Sequence, residues 1–220
     1  MSNKTALNIF FAFAAIVAMT HLANDWVNLA QPWGLVWKAS GIVLLGIYAL
    51  SQRAWLAAIA LFLCATGDVL LEIFFVAGMA AFALGHIVYI FCFLEWGRVL
   101  GPNKRDRPVA GLVVVVSLLM LGWMIPGMGD LLIPALIYQV VITTMVATAM
   151  IVKAPMLARL GAVTFMLSDT LIAVGKFTTT DAPPGSVWIT YAGAQIMIAW
   201  GLSRIAPYRD RKAAQSAAVA

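Results

Sequence analysis

Two aspartates stand where hydrocarbon is expected. Asp68 lies in Cys64-Ala65-Thr66-Gly67-Asp68-Val69-Leu70-Leu71, and Asp169 in Phe165-Met166-Leu167-Ser168-Asp169-Thr170-Leu171-Ile172. Each sits late in an apolar run long enough to cross a bilayer. A charged side chain at the bilayer centre costs about 2.5–3.5 kcal/mol on insertion scales, so such residues are rare and mark pathways, relays or reaction sites. Two carboxyls in unlike surroundings can divide the work of proton donor and base, as they do in glycosidases. The structural alternative is a pair of packing acids, each bonded to a neighbouring helix.

Other side chains with usable chemistry fall at similar depth. His86 and Tyr89 share a stripe with Gly78, Phe82, Gly85 and Phe93 at helical periodicity. Tyr138 and Gln139 open another apolar run, and Thr143 follows one turn after Gln139. Ser168 precedes Asp169, and Lys176 follows that acid by seven residues, roughly 10 Å along a helix. Tyr191 and Gln195 are spaced i, i+4. Lys38 opens the second run, where it can snorkel to headgroups or hold a phosphate or an acid. His86 suits either a hydrogen-bonded packing role or participation in the chemistry.

The elements that must carry these residues follow from hydropathy. Of 220 residues, 63% are hydrophobic and 10% charged, against about 25% charged in soluble domains. Eight apolar segments, approximately 6–24, 35–51, 53–71, 77–96, 108–125, 130–151, 156–175 and 186–206, approach the ~20 residues that a bilayer demands. The expectation is an all-α membrane protein: one eight-helix transmembrane bundle over 1–206, then a basic, Ala-rich cytoplasmic tail over 207–220 that is frayed. The first segment is long for a signal peptide and lacks a clear cleavage site, so it reads as a retained span. The fifth, Val- and Leu-rich and without an ionisable residue, is expected to face lipid. Thr20, His21, Asn24 and Asp25 read as a hydrated helix end, and Glu72 as solvated.

The net charge of +5 is a topology signal. With an inner N-terminus, twelve Lys and Arg residues fall on the inner side and two, Lys38 and Lys176, on the outer. This obeys the positive-inside rule and gives an N-in/C-in orientation, with attraction to anionic lipid as a secondary effect. It leaves no reason to invoke nucleic acid. Spans 3 and 7 then run outward, and spans 2, 4, 6 and 8 inward. Lys38, Asp68, Tyr138, Gln139, Asp169, Tyr191 and Gln195 all come to the outer half, with His86 and Tyr89 deeper. A polar cluster of this kind should face the bundle interior. Gly67-Asp68-Val69-Leu70-Leu71 and Ser168-Asp169-Thr170-Leu171-Ile172 each occupy the third span of a four-span half, which suggests two parallel repeats.

Only two histidines occur, without zinc-site spacing, so no metal or other cofactor is expected. Cys64 and Cys92 both lie in apolar segments and do not suggest a disulfide. A metal-dependent hydrolase using Asp68, His86 and Asp169, and a transporter with paired acids, are the rival readings.

The motifs Gly67-Asp68-Val69-Leu70-Leu71, Gly78-Met79-Ala80-Ala81-Phe82, Gly85-His86-Ile87-Val88-Tyr89, Ser168-Asp169-Thr170-Leu171-Ile172-Ala173 and Tyr191-Ala192-Gly193-Ala194-Gln195 together resemble the YhhN-like lysoplasmalogenase family. The resemblance covers spans 2 to 8. It implies a multi-pass hydrolase of the bacterial inner membrane that takes a lysophospholipid with a vinyl ether chain. The products would be a fatty aldehyde and a glycerophospho-headgroup. Asp68 and Asp169 would be the catalytic acids. His86, Tyr89, Tyr138 and Gln195 would orient them and the water, and Lys38 or Lys176 would meet the phosphate.

Overall fold

Apolar runs satisfy their backbone groups in hydrocarbon only as helices or closed barrels. In a computed structural model, the structure describes residues 2–27 and 29–217, the side chains of Asp25 and Ser216 apart. Among those residues every regular element is helical. The long helices are α1 (Asn3–Thr20), α2 (Trp33–Ser51), α3 (Trp55–Ile73), α4 (Phe75–Leu100), α5 (Arg107–Met124), α6 (Leu132–Ile151), α7 (Met156–Phe177) and α8 (Ser186–Leu202). A further helix, α9 (Ala206–Ala217), occupies most of the stretch assigned to the tail.

Seven helices, α1 to α7 with their flanking turns, are long and apolar enough to cross a membrane, which makes this a multi-pass membrane protein. The last expected span, α8, has 17 residues, about 26 Å of helix. It is also an interior element, packed against α7, α1, α2 and α3. Its buried residues include Tyr191, Gln195 and Ile198, which would otherwise meet lipid.

Short connections force neighbouring helices antiparallel, and contacts between loops hold the ends. Gly101 ends α4 at φ 89°, a left-handed conformation that favours glycine. The next residues pair with the segment after α6: Asn103 N–H donates to the Ile151 carbonyl (2.7 Å) and Lys153 N–H to the Gly101 carbonyl (3.0 Å). Asp106 there accepts from Asn103 (2.9 Å) and from the Arg159 guanidinium. The arginine, then the asparagine, hold the Asp106 carboxyl below the usual carboxylate range.

Two of the helix pairs that meet at very close range are α3 with α4 and α7 with α8. A Cβ added at Gly78 would fall 2.5 Å from the backbone of Leu71, and one at Gly201 2.8 Å from the backbone nitrogen of Ala158. Small residues at such crossings let helix backbones approach and gain dispersion contact where the hydrophobic effect offers nothing. These two pairs carry the two aspartates.

Helix α5 departs from expectation. It does show a broad apolar face to the outside, with Leu112, Leu118 and Leu119 exposed. Yet Ala110, Ser117 and Met124, spaced by seven residues, are buried, and the helix forms one wall of a cavity. A lone hydroxyl in hydrocarbon needs a partner, and Ser117 finds two of them on α6.

Candidate active site

The two acids belong to separate hydrogen-bonded groups. Asp68, buried on α3, accepts from the Tyr191 hydroxyl of α8 at 2.7 Å. Gln195, one turn further along α8, donates to the Tyr191 oxygen (3.3 Å) and accepts from the Tyr89 hydroxyl of α4 (2.6 Å). Tyr89 and Gln195 are both fully buried. This chain satisfies four polar side chains from three helices, as a low-dielectric interior requires.

Asp169, on α7, accepts from the Tyr138 hydroxyl of α6 at 2.5 Å. His86 of α4 brings its Nε2 to 4.0 Å from the same carboxyl oxygen. The imidazole is fully buried, and neither ring nitrogen has a hydrogen-bond partner among the described residues. An orphaned polar group of this kind costs free energy that ordinary packing would avoid.

Aromatic rings separate the two groups. Phe165 packs edge-on against Tyr191 (5.3 Å between centroids) and against His86 (4.6 Å). Phe82 lies against both Phe165 and Tyr191. Among the described residues no hydrogen bond or ion pair joins the two carboxyls.

A cavity of about 550 Å³ reaches one group and not the other. Its walls come from the facing ends of α3 and α4 and from α5, α6 and α7. Asp169, Tyr138, Gln139 and Ser117 line it, whereas Asp68, His86, Tyr89, Tyr191 and Gln195 do not. These four of the polar lining residues sit at one level. Asp169 precedes Phe177 by eight residues, Ser117 precedes Met124 by seven and Gln139 follows Leu132 by seven, each roughly 10–12 Å from its helix end. Above and below this belt the walls are apolar, from Phe75, Met79 and Met128 at one end to Val109 and Val163 at the other. Along α5 the lining runs from Val109 to Met124, about 22 Å. A mostly apolar cavity of this length has room for an alkyl chain and presents a carboxyl part-way along it.

The cations divide. Lys38 pairs with Glu72 at 2.5 Å, tying the start of α2 to the end of α3. This corrects the reading of Glu72 as merely solvated, and Lys38 does not line the cavity. Exposed Lys176 holds its ammonium 4.9 Å from the ring centre of Phe75, a cavity-lining residue, and so stands at the rim. Ser168 donates to the Val187 carbonyl at 3.0 Å, a link between α7 and the start of α8. Among the described residues no three or more His, Cys, Asp and Glu side chains form a group able to hold a metal ion.

Sequence reasoning missed Ser117. It is the only hydroxyl residue in α5, and its seven-residue spacing from two other buried positions was the available signal.

Comparison with known proteins agrees with the motifs. The YhhN family pattern matches residues 33–202. The chain is 36% identical to a protein of Mycobacterium bovis named lysoplasmalogenase, over 74% of this chain and 68% of that protein. The same figures hold for a Mycobacterium tuberculosis protein of the same name. No solved structure matches. With the family pattern covering α2 through α8, where both aspartates and their tyrosine partners lie, the chain belongs to the YhhN family.

Proposed function

We propose that this protein hydrolyses the vinyl ether bond of lysoplasmalogens, releasing a fatty aldehyde and a glycerophospho-headgroup. The observation that carries the reading is Asp169, set part-way along a mostly apolar cavity long enough for an alkyl chain. The names of the two mycobacterial relatives support the substrate class.

The reaction needs a proton at carbon. An acid protonates the β-carbon of the vinyl ether, and the double-bond electrons form the new C–H bond. The oxygen lone pair then stabilises the resulting oxocarbenium ion. Water adds to the α-carbon and loses a proton, and the hemiacetal then collapses: its C–O bond to glycerol breaks, the carbonyl forms, and the hemiacetal hydroxyl proton passes to the departing glycerol oxygen. Asp169 is suited to both proton steps, as donor first and as base toward the water afterwards. Once ionised, it also faces the cation it has made. Tyr138 holds one of its oxygens and so fixes the carboxyl's direction. Asp68 acts from behind the wall of Phe82 and Phe165, through the Tyr191–Gln195–Tyr89 chain that keeps this wall in register. Lys176 meets the phosphate at the rim.

We read the bundle as eight spans in two parallel four-helix halves, α8 included, with both termini inside a bacterial inner membrane. The basic residues support the orientation. Arg209 pairs with Glu95 and donates to the Arg53 carbonyl, and Lys212 donates to the Arg98 carbonyl, which gathers cations at the end opposite Lys176.

The test is aldehyde release from a lysoplasmalogen by the purified protein in detergent. Release by wild type and its loss in Asp169→Asn is the expected result. Release of no aldehyde by folded wild type would refute the reading.

A further inference from the structure

The cavity has a second recognition group besides the carboxyl. Gln139 donates from Nε2 to Ser117 Oγ, and Ser117 Oγ lies 2.5 Å from Thr143 Oγ1. These three side chains form a hydrogen-bonded cluster between α5 and α6. Ser117 is almost completely buried. A groove of about 440 Å³ lies along α5 and α6, and Ser117 and Gln139 line both it and the cavity.

The other polar groups on the cavity wall are already engaged. The Tyr138 hydroxyl is spent on Asp169, and Thr170 donates to the Met166 carbonyl. Asp169 is reserved for the chemistry. Gln139 Oε1 accepts no hydrogen bond among the described residues, although Ser117, itself bonded to Thr143, fixes the other end of its amide. If the amide were turned over, Nε2 would take the same position. A hydroxyl both donates and accepts, so it can bond to either end.

A lysolipid brings one such hydroxyl into the slot. Its free glycerol hydroxyl is on the carbon next to the one bearing the ether oxygen, so it arrives at the level of Asp169. That level is also Gln139's. We propose that Gln139, held by Ser117 and Thr143, binds this free hydroxyl and thereby selects one-chain over two-chain lipids. Acylation of the hydroxyl would remove its donor and require room for a second chain. Ser117 is a positioning residue: it orients the amide and does not touch the lipid. This inference rests on the lysolipid reading of the cavity.

The test uses ligands without a vinyl ether, so that it does not depend on turnover. Binding of a saturated 1-O-alkyl-glycerophosphoethanolamine and of its 2-deoxy counterpart is measured on the purified full chain in detergent. One hydrogen bond of this kind corresponds to roughly a tenfold ratio in Kd. Wild type should prefer the hydroxyl-bearing ligand by about that factor. Gln139→Leu should bring the ratio near one, mainly by weakening the hydroxyl-bearing ligand. Ser117→Ala, which leaves Gln139 in place but unanchored, should lower the ratio part of the way, an effect that general destabilisation would not produce. Equal binding of the two ligands by wild type, or a ratio that survives in Gln139→Leu, would overturn the proposal. Aldehyde release from a lysoplasmalogen by the same preparation is scored separately. Its absence beside a hydroxyl-dependent ratio would count against the hydrolase reading and not against Gln139.

Discussion

Tyr138 donates its hydroxyl to Asp169 at 2.5 Å, and both residues line the same cavity. The equivalent bond to Asp68 comes from Tyr191 and lies outside that cavity. Two acids with similar sequence surroundings therefore hold different positions, one open to a ligand and one closed behind Phe82 and Phe165.

The first prediction concerns this bond. Tyr138→Phe keeps the ring and removes the donor. Turnover should fall by about tenfold as the carboxyl loses its fixed direction. Asp169→Asn should lose roughly 10²–10⁴-fold, the usual contribution of a positioned acid. Initial rates of aldehyde formation measure both, and a Tyr138→Phe rate equal to wild type would remove the orienting role.

Solvent hydrogen traces the proton step. In D₂O the released aldehyde should carry a single deuterium on the carbon beside the carbonyl, read by mass spectrometry before any exchange. Aldehyde without deuterium would exclude protonation at the β-carbon.

His86 is buried, and among the described residues neither ring nitrogen has a hydrogen-bond partner, an arrangement that costs stability. His86→Leu should leave the thermal unfolding temperature in detergent equal or higher, and should lower turnover if the imidazole near Asp169 assists the site. Lower stability with full activity would make His86 a packing residue.

Lys176→Gln should raise KM for the phospholipid several-fold, as about 1 kcal/mol of rim electrostatics implies, and leave kcat close to wild type. Lys38→Gln breaks the pair with Glu72 and should leave KM unchanged. An effect on KM from Lys38 alone would reverse the assignment.

The loop after α4 gives a pH dependence. The Asp106 carboxyl is held below the usual range by Arg159 and Asn103. A lowered folded pKa adds stability that is present above the unfolded value, about pH 4, and is lost as pH falls through the folded one. Wild type should therefore unfold at a higher temperature than Asp106→Asn at neutral pH, and the difference should vanish in acid. A difference that persists in acid would contradict the ion-pair origin.

Hydropathy made much of this architecture legible. Each apolar segment corresponds to a long helix, because in hydrocarbon length and composition leave few options. Asp68, Asp169, Tyr89, Tyr138, Tyr191 and Gln195 were legible as a polar interior set because unpaired polar groups are costly there. Their division into two groups was not. Whether Asp68 meets Tyr191 or Asp169 depends on how α3, α7 and α8 rotate about their axes, which spacing along one chain does not fix. The same limit hid α5. Its one hydroxyl, Ser117, carried less weight in the sequence than its many valines and leucines, although it faces Gln139.

The measurement that tests the central claim most directly is aldehyde release from a lysoplasmalogen by purified wild type beside Asp169→Asn, with folding of both checked by size exclusion. Aldehyde from wild type and almost none from an equally well folded Asp169→Asn is the predicted result. Equal release from both would contradict the claim that the cavity carboxyl performs the reaction.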